Sequence, residues 1–232
     1  MRTKIFCDSA DYKTINRLNK NKIVSGFTTN PSLMRNAGAK SYKLYSQKIL
    51  KICSKKPISL EVFADDKHNM LKQAYKINNW GKNIFVKIPV VNSKGRFMGD
   101  VVKELNSKGI KLNITAVYTF NQVKKIFRIL NSKSNSIISI FAGRMADQGT
   151  DPIPIFKKSI KLCKKNKKIK ILWASTREAY NYIQAKQLNC DIITMPPKII
   201  QKIENFRNNP RKLTIDTVKG FLTDSKKSKF KV

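Results

Sequence analysis

The chain has 232 residues, 41% of them hydrophobic, which suits one sizeable core or two small ones and excludes a disordered polymer. No apolar run approaches the roughly 20 residues of a membrane span, and Met1–Phe6 lacks the basic start, apolar stretch and small-residue cleavage site of a signal peptide, so a cytoplasmic location is expected. The formal net charge is +34, from 48 Lys and Arg against 14 Asp and Glu, which keeps nonspecific binding to a polyanion such as nucleic acid in view.

In chain order, eight short β-like runs stand out: Lys4–Asp8, Ile23–Phe27, Ile58–Phe63, Ile84–Ile88, Lys111–Thr115, Ile137–Ala142, Ile169–Ala174 and Asp191–Thr194. Several are almost continuously apolar, as parallel strands covered by helices are. Amphipathic segments fall between them. Asn121–Leu130 places Val123, Ile126, Phe127 and Leu130 on one helical face, and Ile155–Leu162 behaves alike. Eight such alternations predict an α/β fold, a closed (β/α)8 barrel, with an open doubly wound sheet as the alternative. No GxGxxG follows the first strand, and polar residues recur at the C-terminal ends of many strands, where barrel enzymes build their sites.

The tail from Asn205 departs from this pattern. Leu213–Leu222 predicts a short helix with Ile215, Val218, Phe221 and Leu222 turned inward, followed by a frayed basic end over Asp224–Val232. No linker, repeat or low-complexity segment divides the chain, so residues 1–232 are expected to form one domain.

Cys7, Cys53, Cys163 and Cys190 show no CxxC spacing, which argues against a zinc site or redox pair. Cys7, Cys163 and Cys190 sit among apolar neighbours and read as buried thiols. The single histidine, His68, lies in a polar run and reads as an exposed first-turn helix residue. Lysines are distributed along the whole chain, with short clusters at Lys164–Lys170 and Lys226–Lys231. Lys, Asn and Ile share AT-rich codons, so genome composition explains much of the charge.

Lys87 is the sharpest chemical signal, set within the apolar strand Ile84–Val90. A buried ammonium is costly, so its pKa should fall unless a carboxylate pairs with it, and a neutral amine inside a barrel is a nucleophile towards carbonyls. A lysine that snorkels out at the strand end is the competing reading. Other strand ends offer polar partners: Asp8; Thr28, Thr29 and Asn30, with Pro31 marking a helix start; Glu61; Asn113 and Thr115; Ser139 and Phe141, with Arg144 beyond; and Ser175 and Arg177. Ser175 reads as a helix cap, and with Arg144 and Arg177 would suit a phosphate. Asp147 and Asp151 read as groups that pair with Arg144 and cap the next helix, with contact to an acceptor sugar as the alternative.

The runs Gly26–Leu33 (GFTTNPSL), Val86–Pro89 (VKIP), Leu112–Val117 (LNITAV), Phe141–Arg144 (FAGR) and Trp173–Arg177 (WASTR) resemble transaldolase motifs, in matching order across residues 4–200. The length resembles the short branch of the family, which includes the fructose-6-phosphate aldolases. This resemblance implies a class I aldolase-type (β/α)8 barrel and a pentose-phosphate-type group transfer. Lys87 would form a Schiff base with a ketose phosphate, and Asp8 would act as base. Glu61 and Thr115 would hold a proton-shuttling water. Asn30, Asn113 and Ser139 would bind the dihydroxyacetone unit beside Phe141, and Arg144, Ser175 and Arg177 would grip the phosphate. It implies no metal and no organic cofactor. Transaldolases carry Glu and Phe where Glu61 and Phe141 stand, and the free aldolases carry Gln and Tyr, so the pair points to transfer. The alternatives are a free aldolase, a relative acting on another sugar, or a basic protein that uses a degenerate barrel to bind nucleic acid. The family also implies sugar-phosphate partners and a homo-oligomer of five or ten chains, with Leu213–Leu222 reaching a neighbour.

Overall fold

The computed structural model describes residues 3–206 and 209–228. Eight parallel strands close into a barrel in sequential order: β1 Lys4–Asp8, β2 Val24–Thr28, β3 Ile58–Glu61, β4 Ile84–Pro89, β5 Leu112–Val117, β6 Ser136–Phe141, β7 Ile169–Ala174 and β8 Ile192–Met195. The barrel expectation holds, and each strand overlaps the run that predicted it. Helices return the chain between strands: α1 Tyr12–Asn19, α2 Pro31–Asn36, α3 Tyr42–Ile52, α4 Lys67–Asn78, α5 Gly99–Ser107, α6 Phe120–Ile129, α7 Ala142–Ala146, α8 Ile153–Cys163 and α9 Tyr180–Gln187. Two more, α10 Pro197–Glu204 and α11 Pro210–Ser228, follow the barrel.

Alternation along each strand divides the apolar residues into two cores. Ile5, Cys7, Val86, Ile88, Ile138, Ile140, Ile171 and Trp173 face outward and pack beneath the helices. Their neighbours Phe6, Ile137, Leu172, Ala174 and Ile192 form a separate cluster inside the barrel, with Phe85 and Phe141 packed against it. Near-continuous apolarity therefore arises from burial on both faces. Gly26 is required at its position, because a Cβ there would come within 2.7 Å of the Phe6 ring. All four cysteines are buried free thiols, and burial pushes each up to about 12, which keeps them protonated.

Local chemistry sets the helix starts. Asn30 accepts a hydrogen bond from the Leu33 amide (2.9 Å), and Pro31 follows at the first helical position. Thr119 and Gln122 form a reciprocal capping box on α6. Asp66 caps α4, on whose first turn His68 is exposed as expected. Asp65 accepts bonds from the Ser93 amide (2.7 Å) and hydroxyl (2.6 Å), tying the turn after β4 to the loop after β3.

The C-terminal segment corrects the sequence reading. The helix is longer than expected, running to Ser228, so it is ordered through most of the stretch read as frayed; residues 229–232 lie outside the described residues. The side chains expected to turn inward are exposed: Ile215 by 45%, Val218 by 57%, Phe221 by 69% and Leu222 by 55%. Amphipathic spacing predicted a helix, but spacing alone does not supply a surface to pack against.

Candidate active site

At the C-terminal end of the barrel lies a cavity of about 210 Å³. Ten of the eleven expected site residues line it: Asp8, Lys87 and Thr115; Asn30, Asn113 and Ser139; and Phe141, Arg144, Ser175 and Arg177. The eleventh, Glu61, sits behind the lining and contacts it through Lys87. Strand register explains the convergence, because Glu61 pairs with Lys87 across β3–β4 and Lys87 with Asn113 across β4–β5. All three therefore point inward at one level of the barrel.

Lys87 is only 8% exposed. Its Nζ donates to the Thr29 carbonyl at 3.1 Å and lies 3.0 Å from Glu61 Oε2. It does not snorkel out of the strand end. The pairing carboxylate, raised above as the condition that would hold the ammonium, is Glu61. Glu61 is itself fixed at the backbone by the Tyr42 hydroxyl, which accepts from its N–H (2.9 Å) and donates to its carbonyl (3.1 Å). Burial raises the Tyr42 phenol above its ordinary value, with the Glu61 backbone bond acting against the shift and the Glu61 charge adding to it, so the phenol keeps its proton.

Across the cavity, Asp8 accepts a 2.7 Å bond from Thr28. Burial raises the Asp8 carboxyl above the usual range, while the Thr28 bond and the Lys87 charge pull it back. Thr28 and Thr194 hydroxyls are 2.6 Å apart. Thr28 has one hydroxyl hydrogen, which goes to Asp8, so Thr194 is the donor in that pair. Thr194 also accepts, at its carbonyl, a bond from Thr176 (2.7 Å). A relay from β8 through β2 thus fixes Asp8, and its members Thr28 and Thr194 both line the cavity. Sequence reading offers Thr28 only as a strand-end polar group without a role, and does not single out Thr194. Thr28 was visible inside GFTTNPSL, whereas Thr194 has no local signal beyond its place at a strand end.

Ser139 donates to Asn113 Oδ1 (2.7 Å), and Asn113 Nδ2 donates to Ser59 (2.9 Å). This chain also recruits Ser59, which the sequence reading passed over. The Asn113 amide is thereby locked in orientation with one N–H remaining. Asn30 has its carbonyl oxygen committed to the α2 cap, so its amide N–H groups are what it offers the cavity. The Thr115 hydroxyl is buried and makes no hydrogen bond within the described residues. The next residue, Ala116, has φ 57°, and the β5–β6 register shifts between Ile114 and Val117. This bulge ends regular pairing just beyond Thr115.

On the opposite rim, the Arg144 guanidinium lies 5.7 Å from the centre of the Phe141 ring, and Phe141 is tilted against Tyr118 at 5.7 Å. Two expectations need correction. Asp147 binds Arg177, with both carboxylate oxygens 3.0 Å from Arg177 Nε, and does not take Arg144 as its main partner. The fold brings the end of α7 over the loop after β7, and the Arg177 bonds hold the Asp147 carboxyl below its usual value. Asp151 does start the next helix, accepting from the Ile153 amide (2.9 Å). Ser175 caps no helix: it has φ 62°, and α9 begins only at Tyr180. Its carbonyl instead presses on Gly143, where a Cβ would collide with the Ser175 oxygen. A left-handed non-glycine residue at a cavity wall is backbone strain of about 1–3 kcal/mol that the surrounding fold holds in place. Trp173 of the WASTR run faces outward and stacks on Phe156 at 4.5 Å, as core.

Among the described residues, no group of three or more His, Cys, Asp or Glu side chains could hold a metal ion, and no helix is long and apolar enough to cross a membrane.

Comparison with known proteins agrees with this geometry. The chain is 33% identical to a probable transaldolase of Nitrosopumilus maritimus over 204 residues, covering 86% of each chain. It is 30% identical to one of Methanococcus maripaludis over 225 residues, 95% of this chain and 96% of the relative. A probable transaldolase of Dehalococcoides mccartyi is 30% identical over 202 residues, 86% of this chain and 89% of the relative. The model of the transaldolase/fructose-6-phosphate aldolase family matches residues 5–232, and the chain belongs to that family.

Proposed function

We propose that this protein is a transaldolase that moves a dihydroxyacetone unit from a ketose phosphate to an aldose phosphate through a Schiff base on Lys87. The observation that carries the reading is Lys87 Nζ, buried in the barrel, 3.0 Å from Glu61 and sharing a cavity with Asp8, Thr115 and Asn113. Glu61 takes the ammonium proton, and the freed amine attacks the C2 carbonyl of the donor. Loss of water gives an iminium; Glu61 and Thr115, whose hydroxyl makes no hydrogen bond among the described residues, pass the protons. Asp8 then removes the C4 hydroxyl proton. The C3–C4 bond breaks, its electron pair flows into the iminium, and an aldose phosphate leaves. The enamine on Lys87 attacks the acceptor aldehyde, Asp8 returns the proton, and water releases the new ketose.

Asn30, Asn113 and Ser139 hold the hydroxyls of the three-carbon unit. Arg144, Ser175 and Arg177 hold the phosphate, Arg177 having been oriented by Asp147. Phe141 carries no hydroxyl with which to protonate the enamine, which favours transfer over release. The reading needs no metal or organic cofactor. We place the protein in the cytoplasm as one domain over residues 1–232. We also read the exposed apolar side chains of α11 as a contact with further copies of the chain in a pentamer or decamer.

The test is formation of glyceraldehyde 3-phosphate from fructose 6-phosphate, with and without erythrose 4-phosphate, together with borohydride trapping of the substrate adduct. Product that requires the acceptor, with the adduct on Lys87 and neither in Lys87→Met, is the expected result. Product without acceptor would make the enzyme a free aldolase. Wild-type turnover by Lys87→Met would end the Schiff-base reading.

A further inference from the structure

The fold sorts the charges of this chain in a way its sequence order hides. In a parallel barrel every helix-to-strand loop lies at one end and every strand-to-helix loop at the other. Six of the seven helix-to-strand loops carry lysine: Lys20 and Lys22 precede β2, Lys55 precedes β3, Lys82 β4, Lys108 β5 and Lys133 β6. The loop before β7 brings four more, Lys164, Lys165, Lys167 and Lys168, and all ten of these side chains are exposed. Exposed Lys4 opens β1 on the same face. The only carboxylate within these seven loops is Asp191, which is already bound to Lys170 Nζ (3.0 Å) and the Ile171 amide (3.0 Å). Glu204, at the end of α10, is held by Asn21 (2.7 Å).

The other end of the barrel differs. Its loops hold Asp11, Asp65, Asp66, Asp147, Asp151 and Glu178 against Lys40, Lys94, Arg96 and Arg177. A compositional excess of lysine, set by codons alone, would load both ends alike, so composition does not account for this distribution. Half-buried lysines brace the basic face from within: Lys56 Nζ donates to the Asn21 carbonyl (3.0 Å) and Lys111 Nζ to the Lys82 carbonyl (2.8 Å). The large exposed hydrophobic side chains of the protein, among them Leu44, Phe63, Tyr180 and the α11 row, lie outside these loops. Phe206, 44% exposed two residues beyond Glu204, stands beside this face, but the loops themselves offer neither an apolar wedge for a bilayer nor an aromatic platform for stacking bases. It offers many mobile ammonium groups on a broad surface, the arrangement that meets a phosphodiester backbone without reading sequence.

We propose that the N-terminal face of the barrel is a nucleic-acid docking surface, sequence-independent and contacting the phosphate backbone through these loop lysines. Strands of four to six residues separate it from the cavity by roughly 13–20 Å of strand at about 3.3 Å per residue. A bound strand consequently leaves the cavity open.

The experiment measures binding of a fluorescent 24-base-pair DNA duplex to the full chain from 50 to 300 mM NaCl. Two variants lose four positive charges each. One is Lys164→Gln, Lys165→Gln, Lys167→Gln and Lys168→Gln on the basic face. The other is Lys43→Gln, Lys72→Gln, Lys103→Gln and Lys157→Gln on exposed helix surfaces elsewhere. The first should weaken binding at least tenfold at 50 mM salt and make the slope of log K against log salt shallower by up to about 3.6, near 0.9 per lost phosphate contact. The second should stay within about threefold of the parent. Equal losses in both variants would reduce the effect to net charge and overturn the proposal, as would absence of duplex binding at 50 mM salt. Binding to anionic phospholipid vesicles that duplex DNA fails to displace would assign the face to a membrane and overturn it likewise. None of these readouts depends on turnover of a sugar phosphate, so a failed transaldolase assay leaves the result intact.

Discussion

Asp8 and Lys87 face the same cavity under opposite arrangements. Lys87 has a carboxylate at 3.0 Å, whereas Asp8 has only a neutral hydroxyl at 2.7 Å and a more distant positive charge. Burial therefore dominates at Asp8 and raises its pKa. A carboxyl whose folded pKa lies above its unfolded value stabilises the fold most when protonated, and that stability is lost as pH rises through the folded pKa. In its ionised form, which the proposed mechanism uses, Asp8 is thus a cost to stability. Asp8→Asn should raise the melting temperature at pH 7 by about 2 °C or more, lose that advantage at pH 3–4, and lower kcat by at least about 100-fold. Calorimetry at the two pH values and steady-state kinetics would check this; a lower melting temperature at pH 7 would show that the Thr28 bond outweighs burial. The acid limb of the parent pH–rate profile should fall above the ordinary aspartate range for the same reason.

At the scale of an element, the join between β6 and α7 positions the far rim. Gly143 in α7 touches the Ser175 carbonyl, which lets α7 lie against the end of β7 and brings Asp147 onto Arg177. Gly143→Ala forces these backbones apart. A cost of about 1–3 kcal/mol is expected for such overpacking, together with a KM for the phosphorylated donor raised at least fivefold and a smaller change in kcat, because the reacting groups sit on β1, β3, β4 and β5. A KM at the parent value alongside lost stability would place the Gly143 contact outside substrate binding.

For the whole molecule, α11 is the outstanding element. It has 19 residues and none buried, whereas in proteins most helical stability comes from packing an amphipathic face. Its exposed Val218, Phe221 and Leu222 therefore need a covering surface. In the proposed oligomer, the double variant Val218→Asp, Leu222→Asp should release monomers, read by light scattering after size exclusion, while the barrel retains its melting transition. An oligomer of unchanged mass would remove α11 from the contact.

Much of the barrel was legible because its strands are buried on both faces, which writes an apolar run into the sequence wherever a strand occurs. Lys87 was legible for the converse reason, as a charge inside such a run. Asn113, Thr115 and Ser139 were legible as polar interruptions. Ser59 and Thr194 were not, because a small hydroxyl in a strand satisfies a local reading as easily as a functional one. Their roles arise from neighbours 54 and 166 positions away in the chain.

By itself, then, the sequence determined the strand count, a parallel α/β architecture in which a barrel was favoured over an open sheet, and the set of side chains at the strand ends, since these follow from periodicity and local chemistry; the structure showed the sheet to be closed. Only the tertiary structure decided that Asp147 takes Arg177 over Arg144, that α11 stands exposed, and that lysines dispersed through the chain gather on one face. Each of these depends on which distant loops a closed barrel brings to the same end.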